Sequence, residues 1–260
     1  MLPGTTTDGL FISSVFICVQ LRSIIYMRNP IIAALDVPTA EQALQLATEI
    51  APAVGAFKIG SELFTAAGPD IVKKIRATGA SVFLDLKFHD IPNTVAQAVI
   101  AAVQLDVQML TVHTSGGFEM LKVAEKAAED VAWKLNRIPP LVLGVTVLTS
   151  FNSGVLREVG ADASLEFQVR RLAMLATKAG LRGLVCSPLE IASLRKTVPA
   201  STQLVTPGIR TGAEQADDQK RTMTPREAMD AGANWLVIGR PIYAAENPRA
   251  AAEKILESLG

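Results

Sequence analysis

The chain has 260 residues, 49% of them hydrophobic and 19% charged, with 25 Lys plus Arg against 25 Asp plus Glu. This balance argues against nucleic acid as the main partner, which usually leaves a basic footprint, and still allows a local cationic pocket for a small anion. Two cysteines, Cys18 and Cys186, exclude a disulfide framework and point to a reducing cytoplasm.

Residues 1–26 stand apart. The apolar run FISSVFICVQL (11–21) is too short to span a bilayer, which takes about 20 apolar residues. The segment before it carries Asp8 and no basic residue, unlike a secretory leader. Residues 1–26 are expected to be an extension outside the fold, with one domain over 27–260.

From Met27 onward, β-branched runs alternate with amphipathic stretches. IIAALD (31–36) reads as a strand, and 39–50 spaces Ala43, Leu46, Ala47 and Ile50 at helical intervals. VGAFKIG (54–60) is the second strand, followed by a helix ending near Gly79. SVFLDLK (81–87) is the third, and Pro92 opens a helix over about 92–105. VQMLTVHTS (107–115) and LVLGVTVLTS (141–150) are the fourth and fifth, with helices near 117–133 and 163–179. GLVCS (183–187), QLVTPGI (203–209) and WLVIGRP (235–241) complete the set, and 245–259 closes the chain as a helix. Strands alternating with helices imply a parallel sheet, and eight such units in about 230 residues imply a closed (β/α)8 TIM barrel, of the α/β class. No GxGxxG follows the first strand to favour an open dinucleotide fold.

A barrel of this kind places chemistry where its strands end. The stretch FLDLKFHDIPNT (83–94) crowds charge at such an end. Asp85 and Lys87 are two apart, so a regular strand points both to one face, and Lys58 ends the neighbouring strand. A row of alternating sign offsets much of the cost of placing each charge in a cavity. Asp90 could fold back to the same pocket or reach a symmetry mate's. His89 and His113 read as hydrogen-bonding groups. A metal site of Asp85, His89 and His113 is disfavoured by the adjacent lysines, so no metal or other cofactor is expected. At the other side, TPGIR (206–210) and VIGRP (237–241) end strands seven and eight, where barrels often bind phosphate. Glycine lets backbone N–H groups approach an anion, and arginine forks onto its oxygens. Together these residues suit a decarboxylase acting on a phosphorylated small molecule, although an enolising isomerase could use similar parts.

FLDLKFHDIPNT resembles the signature of the orotidine 5'-phosphate decarboxylase family. ALD (34–36), FKIG (57–60), VTVLTS (145–150), VTPGIR (205–210), DDQKR (217–221) and VIGRP (237–241) follow in matching order. The resemblance implies a cofactor-independent enzyme making uridine 5'-phosphate and working as a homodimer with shared active sites, while the charge balance and the short apolar run argue for no nucleic-acid and no membrane partner. It implies that Lys87 protonates the carbon that loses carbon dioxide, that Asp85 stands beside the departing group, and that Lys58 completes the row and touches the ribose. Asp90 would come from the other subunit, with Thr94 beside it. Asp36 would bind a ribose hydroxyl, and Thr149 with Ser150 would read the pyrimidine edge. Arg210, Gln219, Gly239 and Arg240 would hold the phosphate, next to the Pro207 strand end. The rival reading is a metal-dependent sugar-phosphate decarboxylase or epimerase on a related barrel. A barrel that binds a phosphate ligand without chemistry is the third.

Overall fold

The computed structural model describes residues 29–161, 164–211 and 222–260. The extension over 1–26 and the DDQKR motif therefore lie outside the described residues.

Eight parallel strands close into a barrel in chain order. They are β1 Ile31–Ala34, β2 Ala56–Gly60, β3 Val82–Phe88, β4 Met109–His113, β5 Leu141–Val145, β6 Gly183–Val185, β7 Gln203–Thr206 and β8 Trp235–Ile238. β8 pairs with β1 through Ile32 and Val237, which removes both sheet edges. Ile32, Ala56, Phe83, Met109, Leu143, Val205 and Trp235 fill the inside as one apolar cluster. The alternate residues, among them Ile31, Phe57, Leu84, Leu110 and Leu204, point outward into a second cluster beneath the helices. This two-sided burial is why the strands read as unbroken apolar runs.

The helices start where the chain supplies caps. In α1 (Ala40–Ile50), Thr39 accepts the Gln42 N–H, and Ala43, Leu46, Ala47 and Ile50 face the barrel. The expected single helix after β2 is two, α2 (Ser61–Ala67) and α3 (Asp70–Ala77). Gly68, at φ 68°, and Pro69 break it. α4 (Pro92–Gln104) and α5 (Phe118–Lys134) follow β3 and β4 as expected. A short helix that the sequence did not announce, α6 (Ser153–Glu158), starts at Asn152, whose side chain accepts from the N–H groups of Gly154 and Val155. α7 (Leu165–Lys178) and α8 (Ile191–Arg195) come next. α9 (Pro225–Asp230) begins in a reciprocal cap between Thr224 and Glu227.

Six strands, β1 and β4 to β8, stop earlier than the sequence suggests, and the endings of β5, β7 and β8 shape the cavity. β5 ends at Val145, the last residue paired on both sides, so Val147 to Thr149 turn inward as loop. β7 ends before Pro207, which has no N–H to give a neighbour. β8 ends at Ile238, and Arg240–Tyr243 forms the one-turn helix α10 with Pro241 in its first turn. α11 (Pro248–Glu257) then packs against α1.

The opposite face of the barrel is tied by polar side chains. Arg195 donates to the carbonyls of Gly232 and Thr202 and to the Asn234 amide oxygen. Arg182 donates to Glu125 at 2.8 Å and to the Pro140 carbonyl at 3.1 Å, joining α5 to the feet of β5 and β6. The second Glu125 oxygen is buried without a hydrogen-bond partner among the described residues. Burial pushes the Glu125 carboxyl up to about 7, against the pull of Arg182. A raised folded-state value stabilises the fold below the unfolded carboxyl range, and that benefit is lost as pH rises through 7. Glu125→Gln stays neutral, so its stability relative to wild type should rise between pH 5 and 8, by up to roughly 3 kcal/mol. Urea titrations at both pH values check this, and parallel curves would contradict it.

Candidate active site

At the carboxyl ends of the strands the barrel opens into a cavity of about 360 Å³. Lys58 lies two residues beyond Ala56, and Asp85 two beyond Phe83, so the strand period carries both onto the inner face above the apolar plug. Lys58 and Asp85 both line the cavity, with Asp36 and Lys87. The charges pair as two couples. Lys58 Nζ is 2.9 Å from Asp36 Oδ1, and Lys87 Nζ is 2.9 Å from Asp85 Oδ1. Lys58 thus finds its ion pair on β1's side rather than with Asp85, and the sequence order of sign around the wall is Asp36, Lys58, Asp85, Lys87. Gly60 leaves room for the first couple, because a Cβ there would stand 3.0 Å from Lys58 Nζ.

Lys87 reaches the cavity by a route that strand alternation alone does not give. Between Leu84 and Phe88 β3 advances four residues while β4 advances two, from Leu110 to Val112. The two extra residues keep the side-chain parity and bulge the strand. Lys87 sits at φ 51°, in the left-handed region that a residue with a side chain rarely adopts. Its N–H donates to Thr111 Oγ1 at 2.9 Å, and the Thr111 hydroxyl donates to Asp85 Oδ1 at 3.0 Å. Thr111 is fully buried. Sequence reading missed it, since a threonine in a β-rich run looks like strand composition.

The wall from β7 and β8 brings Pro207, Arg210, Gly239 and Arg240 to the same cavity, with Thr149 from the loop after β5. β7 stands across the barrel from β3, so the arginines and the Asp85–Lys87 couple face one space. Gly208 is at φ 82°, a turn that favours glycine. The Arg210 N–H donates to the Met223 carbonyl, which fixes the start of its loop. Tyr243, one helical turn after Arg240, also lines the cavity. Burial, then the Asp36 carboxylate, raises its phenol, which keeps the hydroxyl a donor at neutral pH. Its spacing from Arg240 marks it only once Arg240–Tyr243 is known to be helical. The remaining walls are apolar, including Val145, Val185 and Val237.

Other candidates lie elsewhere. Asp90, Thr94 and Ser150 are exposed and do not line the cavity. Asp90 accepts the Ile91 N–H at 2.6 Å at the entry to α4. Gln219 lies outside the described residues. The rings of His89 and His113 are 5.3 Å apart, and neither lines the cavity. Burial lowers His113, and the neighbouring His89 and Lys87 lower it further against the pull of Asp85, which favours its neutral form. Among the described residues no three His, Cys, Asp or Glu side chains come together as metal ligands.

A protein-family model described as "Orotidine 5'-phosphate decarboxylase / HUMPS family" matches residues 29–255. An orotidine 5'-phosphate decarboxylase of Opitutus terrae is 53% identical over 233 residues, which is 90% of this chain and 99% of that protein. One of Pseudomonas syringae pv. tomato is 49% identical over 89% of this chain and 98% of its own length. The crystal structure of orotidine 5'-phosphate decarboxylase from Lactobacillus acidophilus superposes with a TM-score of 0.80 at 37% identity, covering 89% of this chain and 99% of that one.

Proposed function

This chain belongs to the Orotidine 5'-phosphate decarboxylase / HUMPS family, and from that premise we propose how its cavity works. The enzyme is a carboxy-lyase that converts orotidine 5'-phosphate to uridine 5'-phosphate, the last step of UMP biosynthesis. The observation that supports the site assignment best is the Asp85–Lys87 couple on the inner wall, facing Arg210 and Arg240 across one cavity.

In this reading the arginines, Gly239 and Gln219 hold the phosphate. Asp36 and Lys58, already paired with each other, hold the ribose hydroxyls. Thr149 reads the pyrimidine edge, and Pro207 lines the same cavity, whereas Ser150 stands outside it. That leaves the substrate carboxylate beside Asp85. Two carboxylates at close range repel, and the repulsion ends when one leaves as neutral carbon dioxide. The carbon–carbon bond breaks with its electron pair left on the ring carbon. The Lys87 ammonium stabilises that charge as it grows and then supplies the proton that quenches it. Solvent returns a proton to the lysine.

Asp90 and Thr94 take their place in the partner subunit's site. Their exposure beyond the end of β3, away from their own cavity, supports this. Mixing inactive Lys87→Ala and Asp90→Ala subunits should then restore up to about a quarter of the sites' activity, because one mixed site in two carries neither change. A silent mixture with verified subunit exchange would place Asp90 in its own chain's site. No helix among the described residues is long and apolar enough to cross a membrane. The two-cysteine composition supports a cytoplasmic setting.

The direct test follows the ultraviolet absorbance of orotidine 5'-phosphate with purified protein, with and without a chelator. Turnover indifferent to the chelator is the expected result. Loss of turnover with chelator would favour the metal-dependent sugar-phosphate reading, and binding without turnover the non-catalytic one.

A further inference from the structure

We propose that Thr111 is a positioning residue that locks Lys87 and Asp85 into their working arrangement. This rests on the reading that those two residues perform the decarboxylation.

Thr111 closes a ring of hydrogen bonds. The Lys87 backbone N–H donates to its hydroxyl oxygen at 2.9 Å. Its hydroxyl proton goes to Asp85 Oδ1 at 3.0 Å. The same carboxylate oxygen accepts the Lys87 ammonium at 2.9 Å. One buried hydroxyl therefore ties the backbone of the proton donor to the side chain of its counter-charge.

The ring sits where the backbone is under strain. A lysine at φ 51° costs of order 1–2 kcal/mol relative to a right-handed conformation and persists only if its surroundings hold it. At this point β3 carries two residues more than β4, so the regular ladder is interrupted from Leu84 to Phe88. Thr111 is the β4 residue opposite that interruption, and its side chain replaces the missing ladder contact to Lys87. It is fully buried, so no solvent competes for its hydroxyl in the folded protein. Without the hydroxyl, the Lys87 N–H loses its acceptor and Asp85 loses a donor that fixes its rotamer. Misplacement of a reacting group by about 1 Å can cost 10²-fold in rate.

The test compares Thr111→Ser with Thr111→Ala. Both remove the methyl group, and only serine keeps the hydroxyl. Thr111→Ser should hold kcat within about threefold of wild type, while Thr111→Ala should lose about 10²-fold in kcat with KM and uridine 5'-phosphate affinity changed less than about threefold. Equal kcat for the two variants, both shown folded by circular dichroism and thermal melts, would overturn the proposal. So would a loss that appears in KM alone. If Thr111→Ala does not fold, Thr111→Val keeps the branched volume without the hydroxyl, and wild-type kcat in that variant would overturn it equally. Lys87→Ala is assayed beside them. If Lys87→Ala stays active, the catalytic reading itself fails. If Lys87→Ala is dead and the hydroxyl-free variant is not slowed, only the role of Thr111 fails.

Discussion

Lys87→Ala should lower kcat by at least about 10⁴-fold while the barrel stays folded. Two effects are lost together. A positioned general acid contributes about 10²–10⁴, and a charge aimed at a developing anion a further 10²–10³. The fold should survive because the Lys87 side chain projects into the cavity, with only its backbone engaged by Thr111. Alanine inherits the same left-handed backbone at about the same strain, so the substitution adds little on that account. The variant also leaves Asp85 with the Thr111 hydroxyl but without its cation. An unopposed carboxylate repels the substrate carboxylate more strongly, so substrate should bind more weakly, while uridine 5'-phosphate, which lacks that group, should bind nearly as before. Steady-state kinetics, product binding and a thermal melt check the three parts. Retained decarboxylation would remove Lys87 as the proton donor.

The second large effect is expected at the other end of the ligand. Arg240→Ala should lower kcat/KM on orotidine 5'-phosphate by about 10²-fold, since charge-assisted hydrogen bonds contribute roughly 1.5–3 kcal/mol each. Arg240 is exposed at the rim, where it begins the one-turn helix α10, so the loss should fall on catalysis and not on stability. Binding energy gathered at the phosphate can be spent on positioning the substrate against the charged couples, because it is remote from the reacting carbon. Turnover of a truncated nucleoside should therefore rise when free phosphite is added. No rescue in the wild-type enzyme would count against that remote role, and an unchanged Arg240→Ala would remove the arginine from the phosphate site.

The pH dependence expected from Glu125 has a separate origin. It concerns the opposite face of the barrel, where Arg182 and Glu125 hold the strand feet together. A change of stability there need not alter turnover, which separates the two ends of the molecule experimentally.

The sequence by itself determined the eightfold alternation of strand and helix, because strands buried on both faces must be apolar and helices must alternate their faces. It also pointed Lys58 and Asp85 into one cavity with Arg210 and Arg240, since parity along a strand and position at a strand end are local properties, whereas the bulge that carries Lys87 there appears only in the fold. Tertiary structure alone decided how the charges couple. Lys58 lies between β1 and β3 and pairs with Asp36 and not Asp85, and Thr111 can hold Lys87 only because β4 lies alongside a bulged β3. Early endings such as that of β5 at Val145 were likewise hidden, because a run of β-formers stays a strand only as far as its neighbours accompany it. Pairing across the sheet joins residues distant in the chain, and no pattern within either segment records which partner it will meet.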